Sequence, residues 1–371
     1  MSNFTKKYYQ YRKRLTRKSW GKEYFTSLEK YATGKRWEKI TKPGFFDKVN
    51  GDYAYLAHDK RARKKLYTDF RIKQIMFGFS CDEYFTRECF KKGLIQCSHI
   101  GSDFRSRWLN KMLNRGSLTY YLVDKAVFAN HWSDFFLRKW CDDNSSFYAF
   151  ADTFSGIEKI IAKPKNGTMG RDIQLFELNS NNIGKIFEKL KEYYPEGYIA
   201  EEYYTQTGFM HELNPSSVNT IRVITVRDSK SGKVWPVSTF ARVGVPGAII
   251  DNFSAGGVTY NVDTLTGKIC DGMSKASTGK PLKYHPGTQK SYNGLVIPRW
   301  QEVIDFCCRA HQIAPEGLDF IGWDVGLSED KMILIEGNSR PGFGRNTDRR
   351  DNQWKRVLPS LKGKSAAVGS K

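Results

Sequence analysis

The sequence predicts an α+β fold in which a mainly helical, basic N-terminal region precedes a larger, sheet-rich part. Three observations carry this. Apolar residues recur at helical spacing in the first third, period-two strands closed by tight turns dominate from about residue 159, and positive charge gathers at the start. With 371 residues, 40% hydrophobic and 14% aromatic, the chain has material for two or three domains and is not a disordered polymer. No apolar run has the length of a membrane span, and no apolar leader segment opens the sequence, so a cytoplasmic protein is expected. The seven cysteines form no C-x-x-C pair. Cys81, Cys89 and Cys97 recur every eight residues, which fits neither a metal site nor a disulfide framework, and the cysteines are read as reduced, mostly buried thiols.

Of the formal charge of +21, roughly +17 lies in residues 1–115, which hold roughly 28 Lys and Arg against 11 Asp and Glu. That third calls for an anionic partner: nucleic acid, an acidic membrane surface, or a phosphate-rich or uronate-rich substrate. Residues 1–40 interleave rings with bases, as in Lys6, Lys7, Tyr8, Tyr9, Tyr11, Arg12, Lys13 and Arg14. Such a stretch suits contact with anionic lipid or an acidic polymer, a solvated helix, or nucleic acid.

Helices are expected over 59–77, from Leu66, Phe70, Ile72, Ile75 and Met76, and over 102–114, from Phe104, Trp108, Leu109 and Met112. Residues 121–140 read as a short strand or turn entering a helix near Asp124. As N-cap, Asp124 leaves Lys125 in the first turn, where the helix dipole disfavours a cation that lacks an anionic partner. Residues 159–177 read as strand, loop, strand, with Lys163 at a strand end and Gly167 and Gly170 in the loop. This is not the strand-loop-helix of a P-loop, although backbone N–H groups of a tight turn can hold a polyphosphate. An ordinary hairpin with a lysine reads equally well there.

A helix at 182–194 leads into a strand ending in Glu201 and Glu202. Arg222 lies inside the β-branched strand 219–226 and Arg242 inside the strand 234–243; a charge within such a run needs an anionic partner. Asp251, Asn252 and the pair Gly256-Gly257 follow, then a hairpin over 261–269 and an amphipathic helix over 298–313. The last folded stretch, 321–344, reads as a β-hairpin about Ser328-Glu329-Asp330. Its antiparallel strands bring Asp324 near Glu336, and Asn338, two residues on, points to the same side. Two carboxylates and an amide oxygen on one face suit Mg2+, although a surface hairpin can carry such acids without a role. Three divisions are expected: a helical basic region at 1–100, the main domain at 101–354 and a flexible basic tail at 355–371.

The ordered set is more specific than any part. Asp124-Lys125, Lys163-Pro164, the loop Asn166 to Gly170, Glu201-Glu202, Arg222 and the Asp324…Glu336-x-Asn338 hairpin together resemble an ATP-grasp enzyme. The phrases Ser217-Val218-Asn219-Thr220-Ile221-Arg222, Asp251-Asn252…Gly256-Gly257, Gly322-Trp323-Asp324-Val325 and Glu336-Gly337-Asn338 are similar to the sugar-transfer-associated ATP-grasp group, found with capsule and other cell-surface polysaccharide synthesis. The resemblance extends from about residue 100 to about 350.

It implies an ATP-grasp fold, two α+β subdomains clasping ATP. By this resemblance Lys125 and Lys163 meet the phosphates, and Asn166, Gly167, Thr168, Met169 and Gly170 close over them. Glu201 and the backbone of Glu202, Tyr203 and Tyr204 meet the adenine, with Gln206, His211 or Glu212 near the ribose. Asp324, Glu336 and Asn338 hold Mg2+, and Arg222 or Arg242 stabilises the transferring phosphoryl group or acyl intermediate. Asn252 and the glycine pair contact the acyl substrate or a metal, or the glycines merely permit a bulge.

The activity implied is an ATP-dependent carboxylate–amine ligase acting through an acyl phosphate. Its partners are an anionic sugar nucleotide or glycan precursor, such as a uronic acid, and a small amine or amino acid, with peripheral membrane contact through the basic N-terminus. The alternatives are a kinase of the same fold and a non-enzymatic nucleic-acid-binding protein; the acidic hairpin argues against the second.

Overall fold

The structure, a computed structural model, describes residues 3–34, 40–166, 172–248, 251, 256–274, 281–344 and 352–361. Among the described residues seven α-helices open the chain: α1 (Asn3–Thr16), α2 (Ser19–Thr33), α3 (Lys42–Asn50), α4 (Lys60–Phe77), α5 (Cys81–Thr86), α6 (Leu94–His99) and α7 (Asp103–Leu113). Their ends follow local chemistry. Asp59 caps α4 by accepting from Ala62 N, and Gly78 ends it in the left-handed region at φ +76°; Ser80 and Glu83 form a reciprocal capping box on α5, and Ser102 caps α7.

Three short helices follow: α8 (Tyr120–Val123), α9 (Lys125–His131) and α10 (Ser133–Phe136). Asp124 caps α9 as expected, its carboxylate accepting from Ala126 N and Val127 N. The strand or turn expected before it is a helical turn, closed by Asp124 N donating to Tyr120 O at 2.9 Å, which carries Leu122 into the core.

The remainder builds two antiparallel sheets. In chain order come β1 (Trp140–Asp142), α11 (Phe147–Thr153), β2 (Lys159–Pro164), β3 (Gln174–Glu177), α12 (Ile183–Tyr193), β4 (Tyr198–Glu202) and α13 (Gly208–Leu213). They are followed by β5 (Thr220–Arg227), β6 (Val234–Val243), β7 (Val258–Val262), β8 (Ile269–Met273), α14 (Trp300–Gln312), β9 (Phe320–Leu327), β10 (Met332–Asn338) and α15 (Gln353–Val357). The smaller sheet has the order β1-β4-β2-β3; Phe150 of α11, Phe154 at that helix's C-cap, and Ile186, Phe187 and Leu190 of α12 cover it. The larger has the order β10-β9-β5-β6-β7-β8 and is packed on both faces, so every residue of β5 and β9 is buried. One core joins α9 and α14 to the larger sheet through Phe128, Trp132, Val303 and Trp323. The other joins α2, α7 and α15 to it through Trp20, Trp108, Val226 and Trp354. Each large apolar side chain buried this way contributes about 1.5–3 kcal/mol.

The flexible tail expected from Lys355 is corrected by this second core. Trp354, Val357 and Leu361 are buried, and the Trp354 ring lies 5.3 Å from that of Tyr24, with the Arg105 guanidinium 4.5 Å above it. Trp354, Val357, Leu358 and Leu361 recur at helical spacing, which anchors a segment whose composition is basic and small. Residues 362–371 lie outside the described residues.

The turn between β7 and β8 shows how closely the large sheet meets α14. Gly267 has φ +72°, and a Cβ there would stand 2.5 Å from Trp300 Cγ, while Trp300 Nε1 donates to Thr264 O at 3.1 Å. Gly267→Ala is therefore expected to cost about 1–3 kcal/mol, read as a lower urea midpoint with an unchanged slope.

Candidate functional site

The site forms where the end of β10 meets α8, α9 and β4. In the hairpin, Met332 faces Leu327, Ile333 faces Gly326 and Leu334 faces Val325; the register then slips by one, so that Glu336 faces Asp324 and Asn338 faces Gly322. Without that bulge at Ile335, Asp324 would pair with Ile335 and Glu336 would turn to the other face. The three oxygen-bearing side chains expected together are thus brought to one face, with Asn338 Nδ2 donating to Glu336 Oε1 at 3.2 Å.

Asp324 is fully buried and charge-paired. Arg222, directly across from it on β5, donates through Nε to Oδ1 and through Nη2 to Oδ2 at 2.6 Å, and Arg242 Nη2 also donates to Oδ2. Burial alone would raise the carboxyl, but the Arg222 and Arg242 guanidiniums hold it down at about 2. Arg242 also donates to Thr220 Oγ1 at 3.0 Å and lies 3.7 Å from Asp251, whose Oδ2 accepts from Thr220 N at 3.0 Å. Asp324 is therefore an anionic partner shared by both strand arginines, with Asp251 a second carboxylate beside Arg242. Glu336 is 41% exposed and stands 3.8 Å from Arg222 Nη2; removal from bulk water and the neighbouring Asp324 raise its carboxyl.

A second charge cluster closes the opposite wall. Glu201, at the end of β4, is buried between Lys163 Nζ at 2.6 Å and Arg138 Nη2 at 3.0 Å. Burial would raise its carboxyl, yet Lys163 and Arg138 lower it. Arg138 also donates through Nη1 to Leu334 O at 2.9 Å and lies 3.8 Å over the Phe136 ring, which ties the smaller sheet to β10. Sequence reasoning missed Arg138; its signal was a lone guanidinium among Phe135, Phe136 and Trp140.

Between the two clusters lies a cavity of about 340 Å3, lined among others by Lys125, Phe136, Glu201, Ile335, Glu336 and Asn338. Lys125 Nζ donates to Pro164 O at 3.0 Å, and burial together with Lys163 depresses it to about 8. Lys163 does not line the cavity; its ammonium is engaged by Glu201. Tyr204 hydrogen-bonds Ser328 Oγ at 2.7 Å through its hydroxyl, and Gln206 is buried, donating to Asn219 O and Leu327 O, so both tie β4 to the larger sheet. The backbone N–H groups of Glu202 and Tyr203 are held by Lys139 O and Lys159 O. Asn166 is exposed, whereas Gly167, Thr168, Met169, Gly170 and Asn252 lie outside the described residues. Among the described residues no three His, Cys, Asp or Glu side chains form a metal cluster; the hairpin set has two carboxylates and an amide.

A family model described as sugar-transfer associated ATP-grasp matches residues 105–347. Among solved structures, an ATP-grasp ligase, PsnB, with a minimal precursor is 13% identical, with TM-score 0.36, covering 65% of this chain and 61% of that one. An L-amino acid ligase from Bacillus licheniformis is 10% identical, with TM-score 0.37, 65% and 46% covered. D-alanyl-alanine synthetase A from Vibrio cholerae is 10% identical, with TM-score 0.40, 66% of each chain covered. The chain thus spans less than two thirds of these three proteins. No curated protein matches it.

Proposed function

The chain belongs to the sugar-transfer associated ATP-grasp family, and from that premise we propose that it is an ATP-dependent carboxylate–amine ligase acting on a cell-surface polysaccharide precursor. The observation that carries the reading is the cavity, which sets Lys125 and Glu201 against Glu336 and Asn338 from the other sheet. ATP binds there with its phosphates toward Lys125 and the hairpin and its base toward the end of β4. In the first step a substrate carboxylate oxygen attacks the γ-phosphorus, the bond to the β,γ-bridging oxygen breaks, and ADP leaves. The amine nitrogen then attacks the acyl carbon of the resulting acyl phosphate. Its C–O bond breaks, phosphate departs, and the ammonium proton passes to solvent.

This chain's contribution is positioning and charge, the main needs of phosphoryl transfer. Lys125 offers a compact cation beside the phosphates. Arg222 and Arg242 keep Asp324 ionised and add positive charge behind Glu336. The hairpin oxygens fit magnesium by their chemistry: Glu336 and Asn338 open on the cavity, while Asp324 has both oxygens engaged by arginines. Glu336 and Asn338 would hold the ion, with the buried Asp324 carboxylate adding negative charge behind them, and the ion would supply neutralisation of phosphate charge. The basic first third suits an anionic glycan precursor or the acidic face of a membrane.

The test is product stoichiometry with a panel of uronic acids and amines. Equal release of ADP and free phosphate, dependent on both acid and amine, is the expected result. ADP formed without free phosphate and without need of an amine would instead identify a kinase.

A further inference from the structure

The cavity does not end at the hairpin oxygens. Past Asn338 its wall continues through Ser339 and Arg340, and Asn110 of α7 and Thr119 just before α8 line the same cavity. These four polar residues belong to neither charge cluster and are assigned no part in holding nucleotide.

Arg340 differs from every other cation near the cavity. Lys163 and Arg138 are bound to Glu201, Arg222 and Arg242 to Asp324, and Lys125 to backbone carbonyls. The exposed Arg340 has no ion-pair partner among the described residues. Its backbone is nevertheless fixed on both sides: Asn114 Nδ2 donates to Ser339 O at 3.4 Å, and Ser106 Oγ donates to Pro341 O at 2.6 Å, so α7 holds the segment in place. The neighbouring polar groups are oriented as well. Asn110 Oδ1 accepts from Asn114 Nδ2 at 3.0 Å, which leaves the Asn110 amide N–H groups as donors, and the Thr119 hydroxyl donates to Gly116 O at 2.8 Å, which leaves its oxygen as an acceptor.

One cavity lined by a guanidinium, an amide donor and two hydroxyl oxygens matches an oxyanion carried on a hydroxylated molecule. Resting on the ligase reading, we propose that Arg340, with Asn110, Thr119 and Ser339, forms the subsite for the acid substrate, binding its carboxylate or another oxyanion while the polar neighbours meet sugar hydroxyls. The substrate class is thereby a hydroxylated, anionic sugar acid rather than an apolar amino acid. Placed one residue beyond Ser339 and two beyond Asn338, Arg340 delivers that group next to the hairpin oxygens.

Calorimetric titration of D-glucuronate, and separately of inorganic phosphate, into the full chain with and without ADP and Mg2+ tests this. The proteins compared are wild type, Arg340→Gln and Asn110→Asp, the last placing a negative charge in the subsite while keeping the Asn114 acceptor. Glucuronate affinity is expected to fall about ten- to hundredfold in both variants, with ADP affinity within about twofold and melting curves unchanged. Phosphate binding lost in Arg340→Gln without any glucuronate binding overturns the sugar-acid assignment and leaves Arg340 a phosphate contact. Equal affinity in all three proteins, or binding of neither anion to wild type, overturns the proposal. Failure of ADP to bind while Arg340-dependent glucuronate binding persists sinks the nucleotide reading and leaves the subsite standing.

Discussion

Asp324→Asn is expected to destabilise the protein by about 3–5 kcal/mol, because it removes the buried carboxylate that Arg222 and Arg242 share and leaves them the longer contacts to Glu336 and Asp251. Both Asp324 oxygens accept from arginines, and the residue has no solvent exposure that could let water replace the lost charge. Urea denaturation of variant and wild type measures the difference; a loss below about 1 kcal/mol would place this cluster with ordinary surface pairs. The pH dependence has a definite sign. The folded carboxyl sits at about 2, below its ordinary 3.8, so its contribution is fully present above pH ~4 and is lost as pH falls toward 2. Acid titration of wild type should show this component, and Asp324→Asn should lack it.

Glu201→Leu should cost a similar 3–5 kcal/mol, for the same reason on the opposite wall. It leaves Lys163 and Arg138 facing each other in the interior with no anion between them. Its second effect separates it from Asp324→Asn. Arg138 also holds Leu334 O of β10, so its displacement loosens the tie between the smaller sheet and the hairpin. Arg138→Met leaves Lys163 and Glu201 paired and should cost less than Glu201→Leu, while cutting the same tie. Hydrogen exchange along β10 reads that effect: faster exchange there in both variants is expected, with β7 and β8 unaffected.

The elements legible in the sequence were those whose pattern is local. The β-branched run at 219–226 and the period-two apolar runs of the last hairpin placed β5, β9 and β10, apolar stripes at helical spacing placed α4 and α7, and the Asp124 cap placed the start of α9, because each pattern resides in a few adjacent residues. The need of Arg222 for an anion was equally readable, since a guanidinium inside a β-branched run cannot stay buried unpaired. Three features were not local. The bulge at Ile335, on which the Asp324–Glu336 pairing depends, is a one-residue slip without a glycine to mark it. Lys163 reads as a phosphate contact by its position, whereas the structure engages it with Glu201, a partner 38 positions away on another strand. Arg138 became significant only when Glu201 and Leu334 met from opposite sheets.

Titration of ATP with and without Mg2+ into wild type and Glu336→Gln tests the central claim most directly. Glu336 lines the cavity with a partly exposed side chain, so its amide isostere leaves the core packing intact and removes one ligand charge. Saturable ATP binding that requires Mg2+ and weakens about tenfold or more in Glu336→Gln is the predicted result. ATP affinity unaffected by Mg2+ and equal in the two proteins would contradict it.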